Sequence, residues 1–202
     1  MKNILALFII ISVFVLWSCS GNSHGEKQAG SDDPTIADSK QADNSDEKNP
    51  PAYYSPFDSR YSGGGFFALI DGQYGSLSFA DGKWQGFRDN GLDVVIDMGA
   101  KMKLSSVSGN FLQNHETWAF LPALFVVLTS NNMQDYSLQG EITTKPPAEF
   151  QEPGAFLITV DSLDVEARYV RVQAKSIGPI PEWHNKAKGK PSWIFIDEII
   201  IE

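Results

Sequence analysis

A single cysteine, Cys19, in 202 residues excludes an intrachain disulfide. Cationic residues are scarce too: 16 Lys and Arg against 25 Asp and Glu leave a net charge of −9. Tracking a nucleic-acid backbone takes clustered Lys and Arg, so nucleic acid is not expected as a partner. The acidic balance itself speaks only to solubility. Helical periodicity never persists beyond a turn or two. There is no G-x-S-x-G, no H-E-x-x-H, no phosphate-binding loop and no dinucleotide fingerprint. Carboxylate pairs exist, Asp161 with Asp164 and Asp197 with Glu198. A glycosidase pair must flank a sugar cleft, and neighbours on one strand point to opposite faces, so Asp197 and Glu198 are not expected to act as one. A protein without catalytic machinery is expected.

What is present falls into three parts. Residues 1–18 place one Lys before an apolar run, as in a secretory signal, and the run is short for a spanning helix. It ends in Leu16-Trp17-Ser18-Cys19, which resembles the lipobox of bacterial lipoproteins, with Trp17 an unusual occupant. The resemblance implies that Cys19 becomes the N-terminus and carries lipid. It implies a protein of the bacterial cell envelope, at the outer membrane, touching the membrane through its lipid only. A free thiol and an intermolecular bridge are the other readings of a lone exported Cys. Residues 19–52 are rich in Ser, Asp, Asn, Gly, Lys and Gln and nearly free of large apolar side chains. Such a segment cannot offset its conformational entropy by burial and is expected to be a disordered tether. From Tyr53 to Glu202 the composition is that of a folded domain, long enough for one hydrophobic core.

That domain is organised around residues 84–99, W-Q-G-F-R-D-N-G-L-D-V-V-I-D-M-G. Leu92, Val94, Ile96 and Met98 alternate with Asp93, Val95 and Asp97, the period of a half-buried strand, with Gly91 and Gly99 punctuating its ends. Trp84 and Phe87 before it either form part of a recognition loop or plug the end of the core. Further strands are expected at 106–112, 123–129, 156–160, 168–174 and 193–201, with a weaker one at 136–142. Leu124, Val126 and Leu128 against Phe125 and Val127 read as a strand buried on both faces. Val170, Val172 and Ala174 read as the inward side of a strand covered on one face. Short strands between Gly, Pro and Asn turns predict an antiparallel sandwich or jelly roll.

In order, A-L-I-D-G (68–72), D-V-V-I-D-M-G (93–99), A-R-Y-V-R-V (167–172) and I-D-E-I (196–199) resemble the F5/8 type C, discoidin-like domain, which includes the family 32 carbohydrate-binding modules. The stretches 82–87, 110–113, Trp118, 181–184 and 193–199 are similar to C-terminal modules of bacterial family 20 β-N-acetylhexosaminidases. The resemblance implies an all-β, galactose-binding-like jelly-roll sandwich of about eight antiparallel strands. It further implies a non-catalytic glycan binder for an N-acetylhexosamine or galactose-type sugar. The alternatives are a protein-interaction or scaffold subunit of a glycan-utilisation complex, working with glycoside hydrolases or glycan importers, and a detached accessory domain of a hexosaminidase.

Two constellations carry the expected chemistry. The Asp71-Gly72 turn can offer carbonyls beside a carboxylate, the oxygen-rich setting a hard cation takes. By resemblance, a structural Ca²⁺ would take the side chains of Asp71 and Glu198, carbonyls of Ala68, Gln73 and Asp197, and Ser76, where Thr is commoner. On the residues alone, Asp71 could simply cap a turn and Glu198 be solvated. The second constellation is three polar-aromatic loops. They carry Trp84, Gln85, Phe87 and Arg88; His115, Glu116 and Trp118; and Trp183, His184 and Asn185. A sugar needs a flat aromatic face for its C–H side and forked donors and acceptors for its hydroxyls. His115 and His184 lack a Cys partner and H-x-x-x-H spacing, so zinc is not expected. Lys186, Lys188 and Lys190 read as a solvated loop.

Overall fold

The structure, a computed structural model, describes residues 49–202. The signal-like run 1–18, Cys19 and most of the expected tether lie outside the described residues. The fold begins slightly before the expected Tyr53. Pro51 is buried, and Ala52 already pairs with Val95.

Among the described residues, nine strands form two antiparallel sheets. The larger runs β1 (Ala52–Tyr53), β3 (Leu92–Leu104), β8 (Val165–Lys175), β5 (Leu124–Ser130) and β6 (Ser137–Thr143). The smaller runs β2 (Gln85–Phe87), β9 (Ile194–Ile201), β4 (Val107–Gln113) and β7 (Gly154–Val160). This is the expected all-β jelly-roll sandwich, with two short strands, β1 and β2, beyond those read from periodicity.

The core lies between the sheets, and every strand except the exposed edge strand β6 sends side chains into it. Leu92, Val94 and Ile96 meet Val170, Val172 and Ala174 across the β3–β8 ladder, as their alternation predicts. Phe87, Phe111 and Phe125 fill the middle, and Phe111 meets Phe125 edge-on at 5.8 Å. Each such ring contributes about 1.5–3 kcal/mol by leaving water. The outer side of the β3–β8 pair carries forked ion pairs, Asp93 with Arg171 (2.7 and 2.8 Å) and Asp97 with Arg168 (2.7 and 2.8 Å). Hydrogen bonds from Arg168 hold the Asp97 carboxyl below its ordinary pKa.

Several expectations need correction. β3 does not stop at Gly99. The ladder slips between Asp97 and Met102, Gly99 takes φ +78°, and the strand resumes to Leu104. Glycine marks a bulge there because a side chain would resist that backbone. β5 is not buried evenly on both faces. Phe125 and Val127 enter the core, while on the outer side Val126 is buried as expected and Leu124 and Leu128 are half-buried.

β9 carries the correction with most consequence. Its ladder to β4 pairs Asn110 with Glu198 but Phe111 with Ile196, leaving Asp197 as an extra residue. Core parity flips there: Ile194 and Ile196 point inward before it, Ile199 after it. The strict alternation that was to set Asp197 and Glu198 on opposite faces therefore fails. Both carboxylates reach the same loop: Gly75 N–H donates to Asp197 Oδ2 (2.6 Å) and Gly72 N–H to Glu198 Oε2 (2.9 Å).

A second, aromatic cluster flanks the small sheet, with Trp84, Leu112, Trp193 and Phe195 packed against Tyr61 and Phe79. It closes tightly on the loop. A methyl group on Gly75 would come within 2.3 Å of the Trp84 indole nitrogen.

Candidate ligand-binding site

Three loops meet beyond the ends of β4, β6 and β8. The first is the 3-10 turn His115–Thr117, closed by Trp118. Trp118 sits in the left-handed region, φ 68° and ψ 18°, which is costly for a bulky side chain. Its backbone is held from both sides, since its N–H donates to His115 O (3.1 Å) and its carbonyl accepts from Trp193 N–H (2.9 Å). The second loop brings Phe150, and the third, between β8 and β9, brings Trp183, His184, Asn185 and Lys186.

Cross-bonds tie the loops into one unit. Trp183 Nε1–H donates to Pro147 O at 2.8 Å. Gln151 N–H donates to His115 Nδ1 at 3.1 Å, and His184 Nε2 lies 2.8 Å from His115 O. A carbonyl only accepts, so His184 carries its proton on Nε2, and Nδ1 is left as a buried acceptor with no partner among the described residues.

The result is a pocket of about 460 Å³, lined by Glu116, Trp118, Phe150, Trp183, His184, Asn185 and Lys186. That size lies within the ~300–1,000 Å³ of small-molecule sites. Aromatic faces stand beside an acceptor carboxylate, an amide with both donors and acceptor, and an ammonium. A larger groove, about 620 Å³, runs between β3 and the C-terminal half of β9. Its walls are chiefly aliphatic, with Ile96, Met98, Leu104 and Ile199, and it does not combine several aromatic faces with hydrogen-bonding groups.

The expected site residues separate. Trp118, Trp183, His184 and Asn185 converge with Glu116. Trp84, Gln85 and Phe87 do not belong to a ligand surface, since each is at most 1% exposed. Phe87 is in the central core, and Trp84 donates its indole N–H to Ser76 O (2.8 Å). Gln85 donates to the carbonyls of Ser62 (3.1 Å) and Gly65 (2.7 Å). They are buried because 85–87 is a strand of the small sheet and not a loop. His115 is also fully buried, stacked on Phe120 at 4.6 Å, and acts as the spacer beneath the pocket and not its wall. The Lys loop is not simply solvated either. Lys190 lies 4.6 Å over the Trp118 ring, and Lys188 pairs with Glu182 at 3.3 Å. Phe150 and Lys186 were missed. Phe150 stands as a lone aromatic in the polar run K-P-P-A-E-F-Q-E-P, the signal that could have marked it.

Arg88 lies in an adjoining basin of about 310 Å³ with Arg60, Tyr61, Phe79, Trp193 and Phe195. Trp118 and Thr117 complete its wall, so Trp118 is common to both pockets.

The loop expected to hold a cation is partly suited to one. Asp71, exposed, accepts from Gln73 N–H (2.8 Å), and Glu198 is drawn to the same turn. Ser76 fits less well: its hydroxyl donates to Asp81 (2.7 Å) and its carbonyl serves Trp84. Asp197 is fully buried, with its carboxylate held by Gly75 and by Asn110 Nδ2 (2.8 Å). Burial pushes its pKa up. Among the described residues, no group of three or more His, Cys, Asp or Glu is gathered as a metal-ligand set.

No family model and no curated protein matches the chain. Among solved structures it is similar to CpGH89CBM32-5 from Clostridium perfringens, solved with GalNAc-β-1,3-galactose. The TM-score is 0.50 at 10% identity, covering 75% of this chain and 92% of that one. The fold is the one seen in that carbohydrate-binding module. Also similar are chitosan-binding module 1 of a Paenibacillus sp. IK-5 chitosanase/glucanase (0.48, 12%, 77% and 94%) and the family 32 module of C. perfringens NanJ, solved with galactose (0.47, 15%, 75% and 90%). Identities this low establish fold alone.

Burial pushes the His115 pKa below its ordinary 6.5, and the charge of His184 lowers it further. The unfolded chain then binds the proton more tightly than the folded one. The stability His115 contributes is full above about pH 6.5 and falls as pH drops from there toward the lower folded value. The denaturation midpoint should decline over that window, and His115→Gln, which keeps an acceptor for Gln151 but no titration, should flatten the decline. An unchanged slope in the variant would place the effect elsewhere.

Proposed function

We propose that the chain is a non-catalytic glycan-binding protein whose ligand occupies the Trp118–Trp183 pocket. The observation carrying this is the convergence of three loops that present aromatic faces with Glu116, His184 and Asn185. A pyranose would set its C–H face on an indole while the hydroxyls bond to the carboxylate of Glu116 and the amide of Asn185. Lys190 already covers part of Trp118, so Trp183 is the principal platform. Cross-bonding of the loops lowers the ordering cost of binding, yet one small sugar offers little area, so a single site should be weak. An N-acetylhexosamine or galactose-type sugar is the first ligand to try. Full-length protein on a glycan array, compared with Trp183→Ala and Trp84→Ala, tests the reading. Trp183→Ala should lose glycan at a stability cost clearly smaller than that of Trp84→Ala, since Trp183 is half-buried and bonded to Pro147 whereas Trp84 is a core ring that should cost about 3–5 kcal/mol. Wild type that retains no glycan would favour a scaffold role among glycoside hydrolases or glycan importers.

The same reading includes a cell-envelope address. The apolar run ending in Leu16-Trp17-Ser18-Cys19 supports lipid attachment at Cys19. Cys19→Ser should shift the protein from the membrane fraction to the soluble one or leave it unprocessed. Membrane association unaffected by the change would remove the lipid from the account.

It also includes a stabilising Ca²⁺ at the 68–76 loop. Asp71 and Glu198 would supply carboxylates, with carbonyls of Ala68, Gln73 and Asp197; Ser76 is the least suited of the set. Bound Ca²⁺ would offset the charge gathered on this turn and raise stability by linkage. Chelation should lower the melting temperature of wild type, and Asp71→Ala should melt lower and ignore the chelator. Identical wild-type melts with and without chelator would exclude it.

A further inference from the structure

Arg88 is set apart from the other arginines. The chain has four, all within the described residues. Three are forked onto aspartates: Arg60 onto Asp58 (2.8 and 2.9 Å), Arg168 onto Asp97 and Arg171 onto Asp93. Among the described residues Arg88 has no such partner. Its guanidinium lies 4.5 Å over the Trp193 ring, and its Nε is buried without an acceptor. The indole face offsets part of the charge's lost hydration but offers the N–H no lone pair. A buried unpaired donor of a charged group is costly, and Nε itself is closed to a ligand, so an incoming anion would meet the guanidinium's other N–H groups where Arg88 lines the basin.

The surroundings narrow the acceptor's chemistry. Asp58 is close enough for Arg88 to influence its titration, but both its oxygens are taken by Arg60. Arg60 and Arg88 line the basin, and Lys186 and Lys190 stand at the pocket across Trp118. Four cations thus collect at one region of a chain with net charge −9. Glu116, exposed in the first pocket, is the carboxylate lining either hollow. A planar guanidinium with free N–H groups matches a carboxylate or sulfate with two oxygens better than it matches a lone hydroxyl.

We propose that the Arg88 basin is an anion subsite and that the ligand is an acidic oligosaccharide. A neutral unit sits at Trp183, the chain crosses Trp118, and a carboxylate- or sulfate-bearing unit reaches Arg88. The inference rests on the glycan reading above and deepens it.

The test uses matched pairs on the full-length protein: galacturonate oligomers against their methyl esters, chondroitin sulfate against desulfated chondroitin, and sialylated against unsialylated N-acetyllactosamine. Wild type should prefer the acidic member of at least one pair by about tenfold or more, the scale of one charge-assisted fork. Raising salt should shrink the preference. Arg88→Gln should abolish it while leaving the neutral member bound, and Arg88→Lys, which keeps the charge but not the fork, should retain only part. Should Arg88→Gln melt much lower than wild type, Arg88→Met, an unbranched apolar side chain that can still cover Trp193, replaces it. Neutral members bound as well as acidic ones, or a preference that survives loss of Arg88, overturns the anion subsite and leaves glycan binding intact. Binding of neither member in any pair overturns both.

Discussion

One extra residue in β9 governs much of the molecule. Without Asp197 in the bulge, Ile194 and Ile196 could not share the core with Ile199, because a single parity runs through a regular strand. With it, the core stays apolar along the whole strand and two adjacent carboxylates turn to the 68–76 loop. The Asp197 carboxylate is buried, and the N–H of Gly75 and the amide of Asn110 hold it there. Those bonds fix the loop, the loop carbonyl of Ser76 fixes the Trp84 indole, and Trp84 belongs to the aromatic cluster that includes Trp193. The ring beneath Arg88 is therefore linked to an irregularity in the strand that follows it.

Pocket and cluster are joined at Trp118. Its left-handed backbone would relax if it were not tied to His115 on one side and to Trp193 on the other. Strain of this kind persists where surroundings over-determine it, and it is met at binding sites more than elsewhere. Here it leaves the indole half-exposed between two hollows, with Lys190 against its ring. His115 plays the opposite part: fully buried, it gives its lone pair to Gln151 and its ring to Phe120, so the loops above stand on a rigid floor.

Much of this was legible in the chain. Alternation located β3 and β8 because each has one charged and one apolar face, and that contrast survives in a single sequence. Alternation is also present in β2, with Gln85 and Phe87 sharing one side and Trp84 and Gly86 the other, but it was masked. Both sides are buried, and the inward Gln85 is polar, satisfied by carbonyls of distant residues 62 and 65. Nothing local announces such a partner. The bulge was likewise written in I-F-I-D-E-I-I-I, where the Ile spacing changes parity at Asp197, but a flip shows only once the pairing with β4 is known. At the site, Trp118 and Trp183 stood out as aromatics among polar residues. The cover that Lys190 gives Trp118 and the burial of His115 are contacts between segments far apart in sequence.

The least legible feature is the state of Arg88. By composition it is one cation among 16, adjacent to Asp89, and a local reading would pair the two. Asp89 instead takes φ 47° in an exposed turn and forms no ion pair with it. Meanwhile Asp58, the carboxylate near enough to sense Arg88, is claimed by Arg60 two residues along, a pair that forms within one turn of chain. Local pairing of Asp58 thus leaves a guanidinium unsatisfied at the bottom of an aromatic basin. Hydrophobic cover strengthens whatever electrostatic interaction is made there, since less water screens it. An acidic protein gains from confining such a cation to one basin: its overall charge repels anions at long range, and only a ligand that also fits the neighbouring rings reaches the fork. Under the proposed reading, shape would carry the binding and charge the preference for an acidic ligand.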